Sequence, residues 1–322
     1  MTNIAKIHHQ LGLLDGTRKP RPEANGFVPF FSTSHGDAYL GDSLEVMKTI
    51  PSSSVNLVIT SPPYALHFKK AYGNVAKSEY VEWFLPFAEQ IRRILTDDGS
   101  FVLNIGGSYN PGSPTRSLYH FKLLIELVDT VGFFLAQECF WYNPAKMPVP
   151  AEWVTVRRVR IKDSVEYVWW LSKSQHPKAN NRAVLKSYSA DMHRLNGRGV
   201  RATVRPSGHN IKSSFANLES GGSIPPNLIE EMPTDLLRFG NNAANDTYTV
   251  RCKESGMTVH PARFPAALPE FFVKLLTEID DLVLDPFAGS NTTGSVAERL
   301  ERRWISIDNI REYLEASKFR FE

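Results

Sequence analysis

The chain has 322 residues, 42% of them hydrophobic and 22% charged, with a formal net charge of +3 and only two cysteines. That composition suits a soluble globular protein and excludes a disulfide scaffold, a cysteine metal cluster and a low-complexity polymer. No run approaches the roughly 18–20 apolar residues of a membrane span and no signal-peptide pattern opens the sequence, so a reducing cytoplasm is expected.

Residues 1–36 carry little periodicity and several prolines and read as an N-terminal arm. Asp37–Leu40 predicts a short strand, Ser43–Glu45 opens a helix, and the apolar run Val55–Thr60 predicts a buried parallel strand. Ser78–Leu95 places Val81, Phe84, Leu85, Ala88, Ile91 and Leu95 at helical spacing, and the Asp97-Asp98-Gly99 turn is expected to end that helix. Phe101–Ile105 predicts another buried strand and Ser117–Val131 a helix. Phe133–Tyr142 and Val165–Leu171 then read as an antiparallel pair at a sheet edge.

From Ser172 to about Val259 apolar periodicity fades and Gly, Asn, Ser, Arg and Pro dominate, too long a stretch for a plain loop. Alternation resumes at Arg263, with a helix over Pro265–Ile279, a strand over Asp281–Asp285 and a helix over Thr292–Leu300. A strand over Trp304–Asp308 and a helix over Arg311–Lys318 follow. The sum is an α/β fold: a mostly parallel, doubly wound sheet with an antiparallel edge hairpin, interrupted by an irregular insert. The expected divisions are residues 1–36, 37–172, 173–259 and 260–322.

Charge is segregated. Between Thr155 and Phe215 thirteen basic side chains face three acidic ones, an excess of ten, so the rest of the chain totals minus seven. Such a region is the electrostatic footprint of a polyanion binder, whereas an ordinary solvated surface mixes signs.

Two segments carry chemistry. Ser61-Pro62-Pro63-Tyr64 ends the strand Val55–Thr60, where open α/β sheets bind ligands. The proline pair fixes carbonyls and a hydroxyl in place, and the ring that follows suits stacking on a flat heterocycle. Alone, such a segment reads first as a turn closing a strand. The second segment, Asp285-Pro286-Phe287-Ala288-Gly289-Ser290-Asn291-Thr292-Thr293-Gly294, is a strand end, a tight glycine turn and a helix start. It lacks the three-glycine register of a dinucleotide fingerprint, and Asp285 sits where pyrophosphate would lie. A carboxylate there suits an ammonium group, such as the methionine end of S-adenosylmethionine (AdoMet). Asp308 and Asp42, at two further strand ends, suit ribose hydroxyls and an adenine amino group; each alone reads equally well as a cap or turn residue.

With these motifs the chain resembles the DNA amino-methyltransferases in which the S/D/N-P-P-Y/F segment precedes the AdoMet loop, most closely the PvuII-type N4-cytosine methyltransferases. The likeness runs from about Tyr39 to Phe321. Beyond the two segments it takes in Asp98–Val102, Trp169–Lys173, Gly221–Pro226 and His260–Pro265. It implies a Rossmann-like AdoMet-dependent methyltransferase fold with 173–259 as a DNA-recognition insert. It assigns Ser61, Pro62, Pro63 and Tyr64 to the target base. Asp285, Pro286, Phe287, Gly289, Ser290, Asn291 and Thr292 go to the methionine and loop side, Asp308 to the ribose and Asp42 to the adenine. Arg263 and Phe264 belong to the segment closing over the methionine moiety. Two departures stand out: Asp308 where many relatives have Glu, and Tyr64 where some have Phe.

The activity so implied is methyl transfer from AdoMet to the N4 amino group of a cytosine in a short palindromic duplex site, by base flipping and direct transfer, without a metal. A carbon-5 mechanism needs a nucleophilic cysteine, typically after proline; Cys139 in Glu-Cys-Phe and Cys252 in Arg-Cys-Lys do not fit. N6-adenine methylation on the same scaffold stays open, and more distantly RNA or protein methylation, an NAD-dependent oxidoreductase or a non-catalytic DNA-binding protein. Arg198, Arg201, Arg205, His209, Asn210 and Lys212 are the expected DNA contacts. The resemblance admits a cognate restriction endonuclease as partner, either a monomer or a homodimer, and a place with the nucleoid in a bacterial or archaeal cytoplasm.

Overall fold

The computed structural model describes residues 24, 26–65, 75–144, 146–199, 201–211, 220–230 and 246–322. Most of the expected arm and Lys212 lie outside them. In chain order the elements are β1 (Phe31–Ser32), β2 (Gly36–Leu40), α1 (Ser43–Thr49), β3 (Val55–Thr60), α2 (Tyr80–Ile94), β4 (Leu95–Ile105), α3 (Tyr119–Asp129), β5 (Phe134–Tyr142) and β6 (Val165–Ser172). Then come α4 (Ala190–Arg198), β7 (Thr203–Val204), β8 (Asn210–Ile211), β9 (Leu228–Glu230), α5 (Thr247–Glu254), α6 (Ala267–Leu276), β10 (Leu282–Asp285), α7 (Thr292–Arg299), β11 (Arg303–Asp308) and α8 (Arg311–Ser317).

Nine strands form one sheet in the order β1-β2-β11-β10-β3-β4-β6-β5-β9. The five from β2 to β4 are parallel, and β6 and β5 continue antiparallel. The central strands are apolar throughout because both faces are covered. Val58, Phe101, Leu103, Leu284 and Ile305 pack toward α1, α2 and α3, while Leu57, Ile59, Val102, Val283 and Trp304 pack toward α6, α7 and α8. Helix α2 buries Tyr80, Phe84, Ala88, Ile91 and Ile94, a stripe at three- and four-residue spacing.

Three expectations need correction. The Asp97-Asp98-Gly99 turn lies inside β4, as a bulge between the pairs Val55–Leu95 and Leu57–Ser100. Its carbonyls are used: Lys173 N–H donates to Gly99 O and Lys178 N–H to Asp98 O. The hairpin β5–β6 is not the outer edge, because β9 pairs parallel with β5 through Phe140–Leu228 and Tyr142–Glu230. The stretch read as irregular also holds α5, whose Tyr248 and Cys252 are buried against Ala316 of α8. The rest of its described part departs at Ser172, on the sheet edge opposite the strand ends that carry Tyr64 and Asp285. It contains α4 and the isolated hairpin β7–β8.

Candidate active site

The carboxyl ends of β3 and β10 are neighbours, with Val58 opposite Leu284. From there the chain turns outward in opposite directions, to β4 on one side and β11 on the other. This is the topological switch point at which open α/β sheets place their ligands. A cleft of about 300 Å³ opens there, within the size range of small-ligand sites.

One wall is Ser61–Tyr64. The Tyr64 ring rests on Gly106, where a Cβ would come within 2.5 Å of ring carbon Cε2. Its hydroxyl accepts from Ser61 Oγ at 3.2 Å and faces Glu166 Oε2 at 2.8 Å and Asn104 Oδ1 at 3.1 Å. Burial, and then the Glu166 charge, push this phenol well above its ordinary value, so it remains a neutral donor. Glu166 is held in turn by Lys146 Nζ at 3.0 Å, and Asn104 Nδ2 donates to Tyr167 O. The buried Trp141 indole also lines the cleft, its N–H without a partner among the described residues. Asn104 carried a signal in sequence as the one polar residue in Phe101–Ile105. Glu166, Trp141 and Gly106 carried none, because strand register alone brings them to Tyr64.

The cleft is also lined by Phe287–Ser290, Asp308–Ile310 and the segment His260–Phe264. Gly289 has φ of +51°, and a Cβ there would lie 2.8 Å from His260 Nε2, so loop and segment meet only around glycine. Asn291 is also left-handed and caps α7, its Oδ1 accepting from Gly294 N–H and Ser306 Oγ. Asp308 accepts from Gly289 N–H at 2.7 Å and Ile310 N–H at 2.9 Å, and burial raises its carboxyl. Arg263 Nη1 bonds Thr249 Oγ1 and Asp246, and Arg320 Nε donates to Ser290 O at 2.7 Å. Burial lowers the His260 imidazole to about 4, so it is neutral against the loop, edge-on to Tyr313. Arg320 and Tyr313 were not singled out in sequence.

The structure thus brings Ser61, Pro62, Pro63, Tyr64, Arg263, Phe264, Phe287, Gly289, Ser290, Thr292 and Asp308 to one cleft. Asp42 and Pro286 line an adjoining lobe that shares Pro63, Phe287 and Asp308 and is walled by Trp83 and Phe87. Asp42 also caps α1, with both backbone bonds on Oδ1. Asp285 and Asn291 lie beneath the cleft instead. Asp285 is 2% exposed and accepts from Thr60 Oγ1 at 2.6 Å, Thr293 Oγ1 at 2.7 Å and Phe287 N–H at 3.1 Å. A facing ammonium is therefore not its visible task; it ties β3, β10 and α7 together. Arg198, Arg201, Arg205, His209 and Asn210 are exposed on α4, the link after it and the β7–β8 hairpin, away from the cleft lining. Among the described residues no group of three or more His, Cys, Asp or Glu side chains is arranged to hold a metal ion. None of their helices is long and apolar enough to cross a membrane.

Residues 55–319 match the family model N6_N4_Mtase, described as DNA methylase. The type II methyltransferase M.PvuII of Proteus hauseri is 50% identical over 299 residues, covering 92% of this chain and 86% of that protein. M.ScaI of Streptomyces caespitosus is 27% identical, covering 91% and 84%. A solved structure described as PvuII DNA methyltransferase (cytosine-N4-specific) superposes with a TM-score of 0.73 at 45% identity, covering 92% of this chain and 90% of that one. A solved protein from Thermus thermophilus shares the fold, with a TM-score of 0.54 at 20% identity, covering 88% of this chain and 93% of that one. The chain belongs to this DNA methylase family.

Proposed function

We propose that this member of the DNA methylase family is a cytosine-N4-specific, AdoMet-dependent DNA methyltransferase. The carrying observation is that Ser61–Tyr64 and the loop Phe287–Ser290 leave neighbouring strand ends and line one cleft at the switch point. The 50% identity to M.PvuII and the cytosine-N4-specific description of the related solved structure support the choice of atom.

The cleft fits the donor. Gly289 leaves room that a Cβ would fill, Asp308 offers carboxylate oxygens at the loop mouth, and Phe287 forms an apolar wall continuous with Trp83 and Phe87. Asp308 would hold the ribose, the lobe at Asp42 the adenine, and Gly289, Ser290, Arg263 and Phe264 the methionine moiety. When bound, AdoMet supplies an electrophilic methyl group on a sulfonium centre.

The target cytosine leaves the duplex at a cost of about a few kcal/mol, and the Tyr64 ring, backed by Gly106, stacks on it. Ser61 Oγ and Pro62 O accept the two N4–H bonds and draw the amine out of conjugation, aiming its lone pair across the cleft. The N4–carbon bond forms as the sulfur–carbon bond breaks, and one N4 proton leaves to the acceptors around the amine. Positioning supplies most of the acceleration, and no enzyme–base covalent bond is needed. Residues 37–172 and 260–322 form the methyltransferase domain in this reading and 173–259 the recognition insert. A restriction endonuclease of the same sequence specificity is the expected partner, in a cytoplasm where both meet the host DNA.

Incubation with methyl-labelled AdoMet and duplex DNA, followed by digestion to nucleosides and mass analysis, tests the reading. N4-methylcytosine is the expected product. N6-methyladenine overturns the base, 5-methylcytosine overturns the mechanism, and absence of label in DNA overturns the activity.

A further inference from the structure

The geometry points to the connection between β5 and β6, residues 143–164, as a second DNA-contacting surface that packs against the duplex where the target base leaves it. This rests on the reading above. Register places the connection: Tyr142 ends β5 opposite Val165, which begins β6 two residues before Tyr167, the partner of Ile105 at the carboxyl end of β4, so the segment rises from the edge that carries the cleft. Its two roots, Trp141 and Glu166, line the cleft itself.

The surface of this segment is unusual for a solvated loop. Of seventeen exposed large apolar side chains among the described residues, six lie here or at its end: Met147, Val149, Val156, Val159, Ile161 and Val165. Ile161 is 87% exposed and Val156 71%. They are interleaved with cations, since Lys146, Arg157, Arg158, Arg160 and Lys162 outnumber Glu152 and Asp163. The Arg158 side chain has no ion pair or hydrogen bond with the described residues. A basic and apolar mixture matches a polyanion whose base stack has been opened: cations meet phosphates, and apolar side chains wedge against unstacked bases.

The segment is also braced. Arg116 Nη1 meets Asp163 Oδ2 at 2.6 Å, and Tyr109 Oη donates to the same carboxylate. The Arg160 guanidinium donates to Pro114 O and lies 4.9 Å from the Tyr109 ring centroid. These ties fix the root and leave the apolar tip presented outward. The recognition insert, by contrast, leaves the sheet at Ser172 on the opposite edge. Residues 143–164 thus root directly in the cleft through Trp141 and Glu166, whereas no described residue of α4 or the β7–β8 hairpin lines it.

The test compares the full-length protein with Val156→Ser/Val159→Ser/Ile161→Ser and with Arg157→Ala/Arg158→Ala. Methyl transfer is measured on a fully paired duplex and on one carrying an abasic site opposite the target cytosine, whose base leaves the stack without unpairing. For the apolar triple variant, kcat/KM on the paired duplex is expected to fall about tenfold and to return to near wild type on the abasic duplex. The Arg double variant is expected to weaken binding to both duplexes and to flatten its salt dependence. An AdoMet thermal shift equal to wild type shows that a variant is folded; if the triple fails that control, Ile161→Ser alone is read in its place. Unchanged kcat/KM on the paired duplex overturns the inference. So does an equal loss on both duplexes by the apolar variant, or a change of oligomeric mass showing that a second copy covers the surface. Absence of methyl transfer by the wild type would instead refute the underlying activity.

Discussion

Tyr64 is fixed by its hydroxyl and by the Gly106 contact, and it lines the cleft. The hydroxyl is gripped by Ser61, Asn104 and Glu166, and Gly106 removes any side chain from beneath the ring. Stacking a base on an aromatic ring is worth about 1–3 kcal/mol, roughly 5- to 150-fold. Tyr64→Ala should therefore lower kcat/KM on duplex DNA by that order, while Tyr64→Phe, which keeps the π-face, should stay within about tenfold of wild type. Gly106→Ala makes a sharper case because it alters no polar group. Its methyl would overlap the ring and push it into the base position, so turnover should fall about as far as in Tyr64→Ala with AdoMet affinity unchanged by calorimetry. The motif Ser61–Tyr64 was legible because its residues are contiguous. Its supports were not: Glu166 lies 102 residues from Tyr64, and only the pairing of β4 with β6 closes that gap.

Elements were legible in proportion to their apolar pattern. Strands β3, β10 and β11 are continuous runs buried on both faces, and α2 shows its stripe at helical spacing. Short elements whose stability comes from a partner were not legible: β9 exists because β5 offers an edge, and α5 because Tyr248 and Cys252 find Ala316. Asp285 is a similar case, where sequence suggested a ligand contact and the structure shows a joint between elements. The hydroxyls of Thr60 and Thr293 are buried and end on its carboxylate. Asp285→Ala would strand both, at about 1–3 kcal/mol each, whereas Asp285→Asn keeps an acceptor and should cost less by urea denaturation.

Buried titratable groups on different elements set opposing pH dependences. Burial raises the Asp285 carboxyl to about 6 against its hydrogen bonds, so the folded state takes up protons first and this contribution falls as pH rises from about 4 to 6. His120 on α3 is buried with neither ring nitrogen hydrogen-bonded among the described residues, and burial, then Arg116, lower it to about 4. The unfolded chain protonates it from about 6.5 downward, so this contribution is lost as pH falls from 6.5 toward 4. His260 acts in the same direction. Denaturation curves between pH 4 and 7 should therefore show His120→Phe losing less stability on acidification than wild type, and Asp285→Asn losing more. Equal slopes in all three proteins would contradict these environments.

At the scale of the molecule, charge is divided between two jobs. The stretch from Thr155 to Phe215 carries an excess of ten positive charges and the remainder minus seven, so attraction of a polyanion is concentrated in that stretch. Three arginines, Arg198, Arg201 and Arg205, stand exposed near the end of α4 and the β7–β8 hairpin, outside the cleft. Each phosphate neutralised by such a side chain contributes about 0.9 to the slope of log K against log salt. If all three meet phosphates, Arg198→Ala/Arg201→Ala/Arg205→Ala should reduce that slope by roughly 2–3 and weaken binding to specific and unrelated duplexes alike. AdoMet affinity should not move, because these residues share no contact with Gly289, Ser290 or Asp308. Loss of sequence discrimination with the slope unchanged would place the arginines on base edges instead. An unchanged slope with unchanged discrimination would remove α4 and its hairpin from the DNA path and leave the connection between β5 and β6 as the main cationic surface beside the cleft.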